Sequence, residues 1–309
     1  MRLIIVIPCY NEAAVLPQTI LRMQHLTEQL HRETDIDTEL LFVDDGSQDD
    51  TWQLIAQAAL QPHISGIRLS RNVGHQTALW AGMQQAKGHC DCIVSIDADL
   101  QDDETVIVDM VRRWREGADI VYGVRSERTT DTWFKRTTAQ CFYRLMQAMD
   151  TRTLYNHADF RLLSARALDA LLQYKERNLF LRSMVRQLGF NEATVSYKRQ
   201  ERTAGESKYP LRRMLHFSVD GITSFSTAPL RWITVIGLCM TIVAIGMIIF
   251  ALVQHFSGHT ITGWTSLLVS LWLIGGVVTT GIGITGIYIG KIYIEVKHRP
   301  RYFIAEKTE

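Results

Sequence analysis

The stretch CIVSIDADLQDDE, residues 92–104, sets five carboxylates directly behind an apolar run. Residues 92–96 are typical of a buried strand, and residues 105–115 have the apolar spacing of a helix. Like charges this close repel each other, so the cluster needs a physical reason. A strand that ends in such a cluster and then passes into a helix predicts an α/β unit with a ligand site at the strand end.

The same alternation of strand and helix signals extends through about the first 125 residues. The predicted strands are 3–7, 39–43, 64–69, 92–96 and 120–122. The predicted helices are 12–30, 49–60, 76–86 and 105–115. Repeated units of this kind predict an α/β fold with a mainly parallel sheet that helices cover on both faces.

Polar residues cluster directly after four of these strands. The clusters are PCYNE (8–12), DDGS (44–47), RN (71–72) and the acidic stretch itself. Because ligands of such sheets bind beyond the carboxyl ends of the strands, we expect the four clusters to form one site.

The acidic stretch has the composition of a cation site. Asp97 and Asp99 are alternate residues at a strand end, so their side chains share a face, and Gln101 adds a neutral oxygen nearby. These oxygens suit Mg²⁺ or Mn²⁺, which would cancel the repulsion and bridge phosphate oxygens of a substrate. The carboxylates at 102–104 are expected at the start of the next helix, where the helix dipole favours negative charge.

Composition argues against several other classes. The formal net charge of +1 gives no indication of a nucleic-acid partner, and none is predicted. Within the strand–helix region there is no G-x-G-x-x-G and no G-x-x-x-x-G-K-[ST], so a dinucleotide oxidoreductase or a P-loop enzyme is unsupported. Five cysteines without regular spacing suit a reducing compartment.

Residues 232–290 contain no Asp, Glu, Lys or Arg. A helix needs about 20 apolar residues to cross a bilayer, so this run predicts two transmembrane helices, about 233–254 and 266–288. The alternative is a buried hairpin in a soluble core, which would need a polar face that the run lacks. Basic residues flank the run but are absent from its short link, which predicts a multi-pass protein with both termini cytoplasmic.

Residues 133–149 and 208–230 combine helical apolar spacing with basic residues. Amphipathic basic helices beside a membrane span are typical of the bilayer surface, although helices packed on the sheet would have the same pattern. The predicted organisation is a cytoplasmic α/β domain (1–205), juxtamembrane amphipathic helices (206–231), two transmembrane helices (232–290) and a cytoplasmic tail (291–309).

Short motifs of this chain resemble glycosyltransferase family 2. VIPCYNE (6–12), VDDGSQDDT (43–51), LSRNVGH (69–75) and DADLQD (97–102) occur in the order seen in that family. The segments ADFRLLS (158–164), ERNLFLRSMV (176–185), RTAGESKYPL (202–211) and GITSFSTAPLR (221–231) resemble its polyprenyl-phosphate branch. That branch includes dolichyl-phosphate mannosyltransferases and bactoprenol glucosyltransferases, and the resemblance covers nearly the whole chain.

The resemblance implies a Rossmann-like GT-A fold, a nucleotide-sugar donor and a divalent metal. Asp99 and Gln101 would hold the metal, with Asp97 beside it. The residues implied for the nucleotide sugar are Pro8, Tyr10, Glu12, Asp44, Asp45, Asp97 and Arg125. Those implied for lipid phosphate or diphosphate are Arg202, Ser207, Lys208 and Arg212. The catalytic candidates are Asp159, Arg161 and Asp99.

The implied reaction is inverting transfer of a hexose from UDP-glucose or UDP-N-acetylglucosamine to undecaprenyl phosphate or another polyprenyl phosphate. A phosphate monoester is already a nucleophile, so cations that hold two anionic reactants together matter more than a strong base. The product would serve cell-envelope modification, such as that of O-antigen, at the bacterial inner membrane. Implied partners are the bilayer, a separate flippase and a downstream glycosyltransferase, and a homo-oligomer is left open.

Two rival functions are weighed against this one. A processive polysaccharide synthase is expected to contain a Q-x-x-R-W segment and more transmembrane spans. Met110 stands here at the glutamine position of that segment. A catalytically inactive membrane-anchored binding protein would be expected to lose the acidic pair or the 202–208 segment, and both are present. The departures Asp103, His157-Ala158 and His75-Gln76 from the family pattern leave the sugar open.

Overall fold

The computed structural model describes residues 1–125, 157–177, 179–197, 228–257 and 263–308. These fall into two compact units, one with the described parts of 1–197 together with 299–308, the other with the described parts of 228–298. The predicted segment 133–149 and nearly all of 206–231 lie outside the described residues. So do Arg202, Ser207, Lys208 and Arg212.

The first unit is built on one eight-stranded sheet with the order β7-β5-β6-β4-β1-β2-β3-β8. Its strands are β1 (Arg2–Cys9), β2 (Asp37–Asp44), β3 (Ile64–Leu69), β4 (Cys92–Ser95), β5 (Ile120–Arg125), β6 (His157–Ser164), β7 (Glu192–Tyr197) and β8 (Ile304–Lys307). The four strands predicted first form the parallel centre β4-β1-β2-β3. The α/β prediction and the parallel centre are thereby confirmed.

The outer part of the sheet contains antiparallel strand pairs, so the sheet is less parallel than predicted. β6 lies between β4 and β5 and is antiparallel to both, and β8 is antiparallel to β3. The sequence did not predict β6, β7 or β8 as strands. The predicted fifth strand, 120–122, is longer, and it pairs with β6 and β7 rather than with β4.

The helices are α1 (Leu16–Thr34), α2 (Thr51–Ala58), α3 (His75–Ala86), α4 (Ile107–Arg115), α5 (Ala165–Leu171) and α6 (Leu181–Gln187), with a 3₁₀ turn at Glu104–Val106. The four predicted helices are present with shifted ends. The first starts later than predicted because Pro17 lies in its first turn, where a missing N–H costs no helical hydrogen bond.

Alternation along β1 gives the sheet two buried faces. Leu3, Ile5 and Ile7 belong to the cluster that includes the apolar stripe of α1 and the buried side of α4. On the other face Val6 meets α3 at Gly82, where an added Cβ would lie 2.4 Å from Val6 Cγ1. Helices therefore cover both faces, as the sequence predicted.

The order of the strands in the sheet determines where the site lies. β2 and β3 follow β1 on one side, and β4 pairs with β1 on the other side. The strand order therefore reverses between β1 and β4, which leaves a crevice at their carboxyl ends. The polar residues after β1, β2, β3 and β4 all follow strands that end at this edge.

The second unit consists of α7 (Ala228–Phe256) and α8 (Trp264–Val296). Within α8, Leu273–Val296 is long and apolar enough to cross a membrane, and it is the one such segment among the described residues. The apolar segment of α7, Trp232–Met247, is shorter. Both predicted spans are helical, but two transmembrane crossings remain a prediction. The predicted tail, 291–309, begins inside α8, and its residues 299–308 belong to the first unit.

The close approach at Gly82 generates a stability prediction. Gly82→Val should destabilise the protein by about 1–3 kcal/mol, because the new side chain would overlap Val6 and Val43. The midpoint of thermal unfolding in detergent measures this. Lys87→Ala, at an exposed position just after α3, is the control and should change stability by less than about 0.5 kcal/mol. Equal midpoints for the two variants would contradict the packing described.

Candidate active site

The loops after β1 and β2 are tied together by side-chain hydrogen bonds. The Asn11 N–H donates to Ser47 Oγ at 2.9 Å, and the Gln48 N–H donates to Asn11 Oδ1 at 2.9 Å. Asn11 has a φ of 54°, a left-handed conformation that asparagine tolerates better than most residues. This link holds Tyr10, which is 42% exposed, and Glu12 beside the start of the β2 loop.

Asp44, at the end of β2, is fully buried. Its Oδ1 accepts from the Ser47 N–H at 3.0 Å, and its Oδ2 lies 3.3 Å from Arg68 Nε. That Oδ2 has no hydrogen-bond partner within the described part of the chain. Burial raises the pKa of Asp44, while the Ser47 hydrogen bonds and the Arg68 charge act to lower it. A buried carboxylate oxygen with an ion pair but no hydrogen bond among the described residues needs a physical reason, and a bound ligand is one such reason.

Asp45 holds the loop that leads into α3. Its two carboxylate oxygens accept from the backbone N–H groups of Val73 at 2.8 Å and Gly74 at 2.9 Å. The adjacent Gly46 has a φ of 67°, and a Cβ there would lie 2.5 Å from the Arg71 carbonyl carbon. Burial raises the pKa of Asp45. Its contacts are those of a residue that fixes the loop, and a direct nucleotide contact stays a prediction.

The acidic loop after β4 keeps Asp97 and Asp99 partly exposed, whereas Gln101 is 6% exposed. The Asp97 side chain is 36% exposed, and its partial removal from water raises its pKa to about 6, with His75 acting to lower the pKa and the Asp159 charge to raise it. Leu100, between the two predicted ligands Asp99 and Gln101, has a φ of 56°. A buried leucine in this conformation is strained, and such strain is concentrated at functional sites.

Asp159, on β6, is the centre of a buried ion cluster beside this loop. Arg182 donates to it through Nε at 3.2 Å and Nη2 at 3.1 Å, Arg161 donates through Nη2, and Gln76 donates at 3.0 Å. Burial raises the pKa of Asp159, but the charges of Arg182 and Arg161 outweigh it and hold the pKa well below the usual range. The carboxylate is therefore an anion at neutral pH and a poor proton acceptor.

Arg161 lies behind Asp159 and is fully buried. Within the described residues its Nε and Nη1 have no hydrogen-bond partner. Its one ion pair within the described residues is with Asp159, so its contacts are those of a residue that positions Asp159. A direct catalytic role for Arg161, implied by the resemblance, stays a prediction.

His75 lies between the two carboxylates that face the crevice. Its Nε2 is 3.4 Å from Asp97 Oδ1 and 3.8 Å from Asp159 Oδ2. The sequence had singled out His75-Gln76 only as a departure from the family pattern, and it gave no site role to Arg182 or Arg68. The one available signal for His75 and Gln76 was their position directly after the LSRNVG segment.

The last carboxylates of the opening stretch have separate tasks. Asp103 caps the 3₁₀ turn by accepting from the Thr105 N–H at 3.1 Å, as expected of a helix start. Asp102 is instead buried against Arg125 at 3.1 Å and also accepts from Tyr197. Glu104 accepts two hydrogen bonds from one edge of the Arg22 guanidinium, from Nε and from Nη2, each at 2.6 Å. Arg125, predicted to bind the nucleotide sugar, is thus held by Asp102.

The oxygen ligands of the acidic loop suit a divalent cation that is shared with a substrate. Within the described residues no group of three or more His, Cys, Asp or Glu side chains is arranged to hold a metal. Mg²⁺, however, is often held by one or two carboxylates together with substrate phosphates. Asp97 and Asp99 are partly exposed carboxylates crowded by further negative charge, so they fit such a cation, and Gln101 stays a prediction as third ligand.

Most of the predicted site residues are at one edge of the sheet. Those at this edge are Pro8, Tyr10, Glu12, Asp44, Asp45, Asp97, Asp99, Gln101, Arg125, Asp159 and Arg161. The four predicted for lipid phosphate lie outside the described residues. Fold and site together define a GT-A-like α/β protein with an acidic crevice at the reversal point of its sheet.

The comparisons with known proteins agree with this class. The model of Glycosyl transferase family 2 matches residues 4–172. Among solved structures, mannosyl-3-phosphoglycerate synthase from Rubrobacter xylanophilus superposes with a TM-score of 0.50 over 72% of each chain at 16% identity, which supports the fold. The chain belongs to glycosyltransferase family 2.

Relatives of known sequence cover almost the whole chain. An uncharacterised glycosyltransferase of Bacillus subtilis, YkoT, is 50% identical over 98% of this chain and 90% of its own length. The bactoprenol glucosyl transferase of Shigella phage SfV is 39% identical over the full length of both chains. The prophage bactoprenol glucosyl transferase homolog of Escherichia coli K12 is 38% identical over 98% of each.

The buried ion cluster yields a second stability prediction. Asp159→Asn should destabilise the protein by about 3–5 kcal/mol, because Arg161 and Arg182 would lose their shared anion. Chemical unfolding measures the change. Asp169→Asn, an exposed carboxylate 3.5 Å from Lys87, should have little effect. An Asp159→Asn protein as stable as Asp169→Asn would show that the cluster is not a stabilising one.

The same cluster sets a pH dependence. The folded-state pKa of Asp159 lies below the usual carboxyl value, so its stabilisation is present above that value and is lost as pH falls towards the folded-state pKa. Wild-type stability should therefore fall on acidification below the ordinary carboxyl range more steeply than that of Asp159→Asn. Parallel pH profiles of the two unfolding midpoints would contradict this.

Proposed function

We propose that this protein transfers glucose from UDP-glucose to a polyprenyl phosphate, with inversion, and releases UDP. The observation that carries the proposal is the pair Asp97 and Asp99, two partly exposed carboxylates in the crevice between β1 and β4. A diphosphate can share a divalent cation with such a pair. Family membership and full-length similarity to bactoprenol glucosyl transferases support the substrates.

The donor would lie across the carboxyl ends of β1, β2 and β4. Tyr10, Glu12 and Asp44 would meet the nucleoside, since the loops that carry them are tied together. When bound, Mg²⁺ or Mn²⁺ would stabilise the charge that develops on the departing diphosphate. Asp97 and Asp99 are the residues that would hold the ion.

The acceptor phosphate needs positioning more than activation. Its oxygen is anionic near neutral pH and can attack the sugar carbon without transferring a proton. Asp159 suits this chemistry because its low pKa keeps it from competing as a base, and the two arginines prevent it from repelling the acceptor. In this proposal Arg202, Ser207, Lys208 and Arg212 meet the acceptor phosphate.

We also propose two membrane crossings by α7 and α8. The chain enters this pair of helices from the first unit and returns to the same unit as β8. An even number of crossings allows that return, whereas a single crossing would place the two parts on opposite sides of the bilayer. The proposal therefore puts both termini in the cytoplasm, at the bacterial inner membrane, and leaves movement of the product lipid to a separate flippase.

A donor screen tests the function. Membranes that contain the protein, Mg²⁺ and undecaprenyl phosphate are given UDP-glucose, UDP-N-acetylglucosamine or GDP-mannose, and the organic extract is analysed by mass spectrometry. We expect a hexosyl undecaprenyl phosphate from UDP-glucose. A water-soluble polymer instead would favour a polysaccharide synthase, and no product from any donor would favour an inactive binding protein.

The proposed cation ligands are tested by one substitution that keeps the size of the side chain and removes its charge. Asp99→Asn should lower transfer at least about 100-fold, because removing charge stabilisation at the leaving group costs several kcal/mol. Asp103→Asn is the matched control, since Asp103 caps the following turn and faces no predicted ligand. Full activity of Asp99→Asn in Mg²⁺-supplemented membranes would contradict the metal assignment.

A further inference from the structure

The C-terminal tail, residues 299–308, is built into the catalytic sheet. β8 pairs antiparallel with β3, with Glu306 opposite Arg68 and Lys307 opposite Ile67. The Ser70 N–H also donates to the Phe303 carbonyl at 2.9 Å. The tail therefore lies against the strand whose neighbour, β2, carries Asp44.

Two arginines lock the start of the tail in place. Arg177 donates to the Arg299 carbonyl, and in return Arg301 donates to the Tyr174 carbonyl at 3.1 Å. Arg301 also stacks over the ring of Trp80, 4.3 Å from its centroid. Because each segment supplies both a cation and a carbonyl, the tail is fixed against the body of the first unit before β8 begins.

Glu306 uses both carboxylate oxygens within this sheet. Oε1 accepts from Arg68 Nη1 at 2.8 Å, and Oε2 accepts from Trp52 Nε1 at 2.9 Å. These hydrogen bonds, from Arg68 first and then from Trp52, lower the pKa of Glu306. The carboxylate is therefore charged at neutral pH, and its direction is set by two donors on different elements.

Arg68 connects Glu306 to the site. Its Nε lies 3.3 Å from Asp44 Oδ2, and its Nη2 lies 3.4 Å from the Ser47 carbonyl. The guanidinium therefore lies between the tail and the loop that begins with Asp44. Asp44 Oδ2 lacks a hydrogen bond within the described residues, so Arg68 is the contact that holds this oxygen, while the Ser47 N–H holds Oδ1.

We propose that Glu306 is a positioning residue of the donor site, which holds Arg68 against Asp44 and thereby sets the affinity for the nucleoside end of the donor. This inference rests on the proposed function, in which Asp44 contacts the nucleoside. An ionised carboxylate only accepts hydrogen bonds, so Asp44 would accept one from an N–H of the base or from a hydroxyl of the ribose. Such recognition requires Asp44 to be charged and fixed in direction.

In this proposal the donor site is complete only after the tail has joined the sheet. β8 follows both apolar helices in the sequence, so the contact between Glu306 and Arg68 forms only once the chain beyond α8 is in place. Sequence separation between Asp44 and Glu306 is large, but each link between them is a direct contact between charged side chains.

Calorimetric binding of UDP to the purified full-length protein, with Mg²⁺ present, tests this proposal. Glu306→Gln should raise the Kd for UDP about three- to fivefold, as expected for one partly exposed ion pair. In the transfer assay the KM for UDP-glucose should rise by a similar factor while kcat stays within about twofold. Lys307→Gln is the control, because Lys307 is the next residue on β8 and its side chain donates to Gln85 Oε1, away from the contact between Arg68 and Asp44.

A double-mutant cycle separates positioning from a general loss of stability. If Glu306 acts through Arg68, the effects of Glu306→Gln and Arg68→Gln on UDP affinity should be clearly less than additive. Additive effects, or unchanged UDP affinity in Glu306→Gln, would overturn the proposal while leaving the proposed function standing. A wild-type protein that binds no nucleoside diphosphate would overturn both.

Discussion

Repulsion among carboxylates at one edge of the sheet is the constraint on which the rest of this structure depends. Asp44, Asp45, Asp97, Asp99 and Asp159 all lie where parallel strands end or beside them. Each buried member of the set has a specific compensating contact: Arg68 for Asp44, backbone N–H groups for Asp45, and two arginines for Asp159. The buried carboxylates at this edge are therefore stabilised by contacts within the protein itself.

Asp97 differs from the buried members of the set, because its side chain is partly exposed at the crevice while its pKa is raised to about 6. A carboxylate with a raised pKa is one whose charge the surrounding protein disfavours, and a bound cation would reverse that. The structure thus separates the opening stretch into parts with different uses. Asp97 and Asp99 face the crevice, Asp102 and Glu104 form ion pairs that brace the loop, and Asp103 caps the next turn.

Local patterns in the sequence predicted the centre of the fold. The strands β1 to β4 and the helices between them have the periodicities of their elements, and the polar clusters mark the strand ends. β6 and β8 could not be found this way, because each pairs with strands distant in sequence and β8 is a short, charged segment of the tail. Asp97 and Asp99 were recognisable from their spacing, whereas Arg182 and Arg68 gain their roles only from tertiary contacts.

Contacts with arginine connect the rest of the first unit to the acidic edge. Arg182 brings the start of α6 to Asp159, Arg125 joins β5 to the acidic loop through Asp102, and Arg68 joins the tail to Asp44. Arginine suits these positions because its planar group donates in several directions while remaining charged. The Asp44 side and the Asp159 side of the crevice are consequently held by different arginines, and each can be altered separately.

Binding of UDP to the wild type and to Asp99→Asn, with and without Mn²⁺, tests most directly whether the acidic edge is a cation site completed by a diphosphate. We expect Mn²⁺ to tighten UDP binding to the wild type at least about tenfold, since the ion would bridge the carboxylates and the phosphates. Asp99→Asn should lose most of this gain and should bind UDP without metal no more weakly than the wild type. Equal wild-type affinity for UDP with and without Mn²⁺ would show that the acidic edge is not such a site.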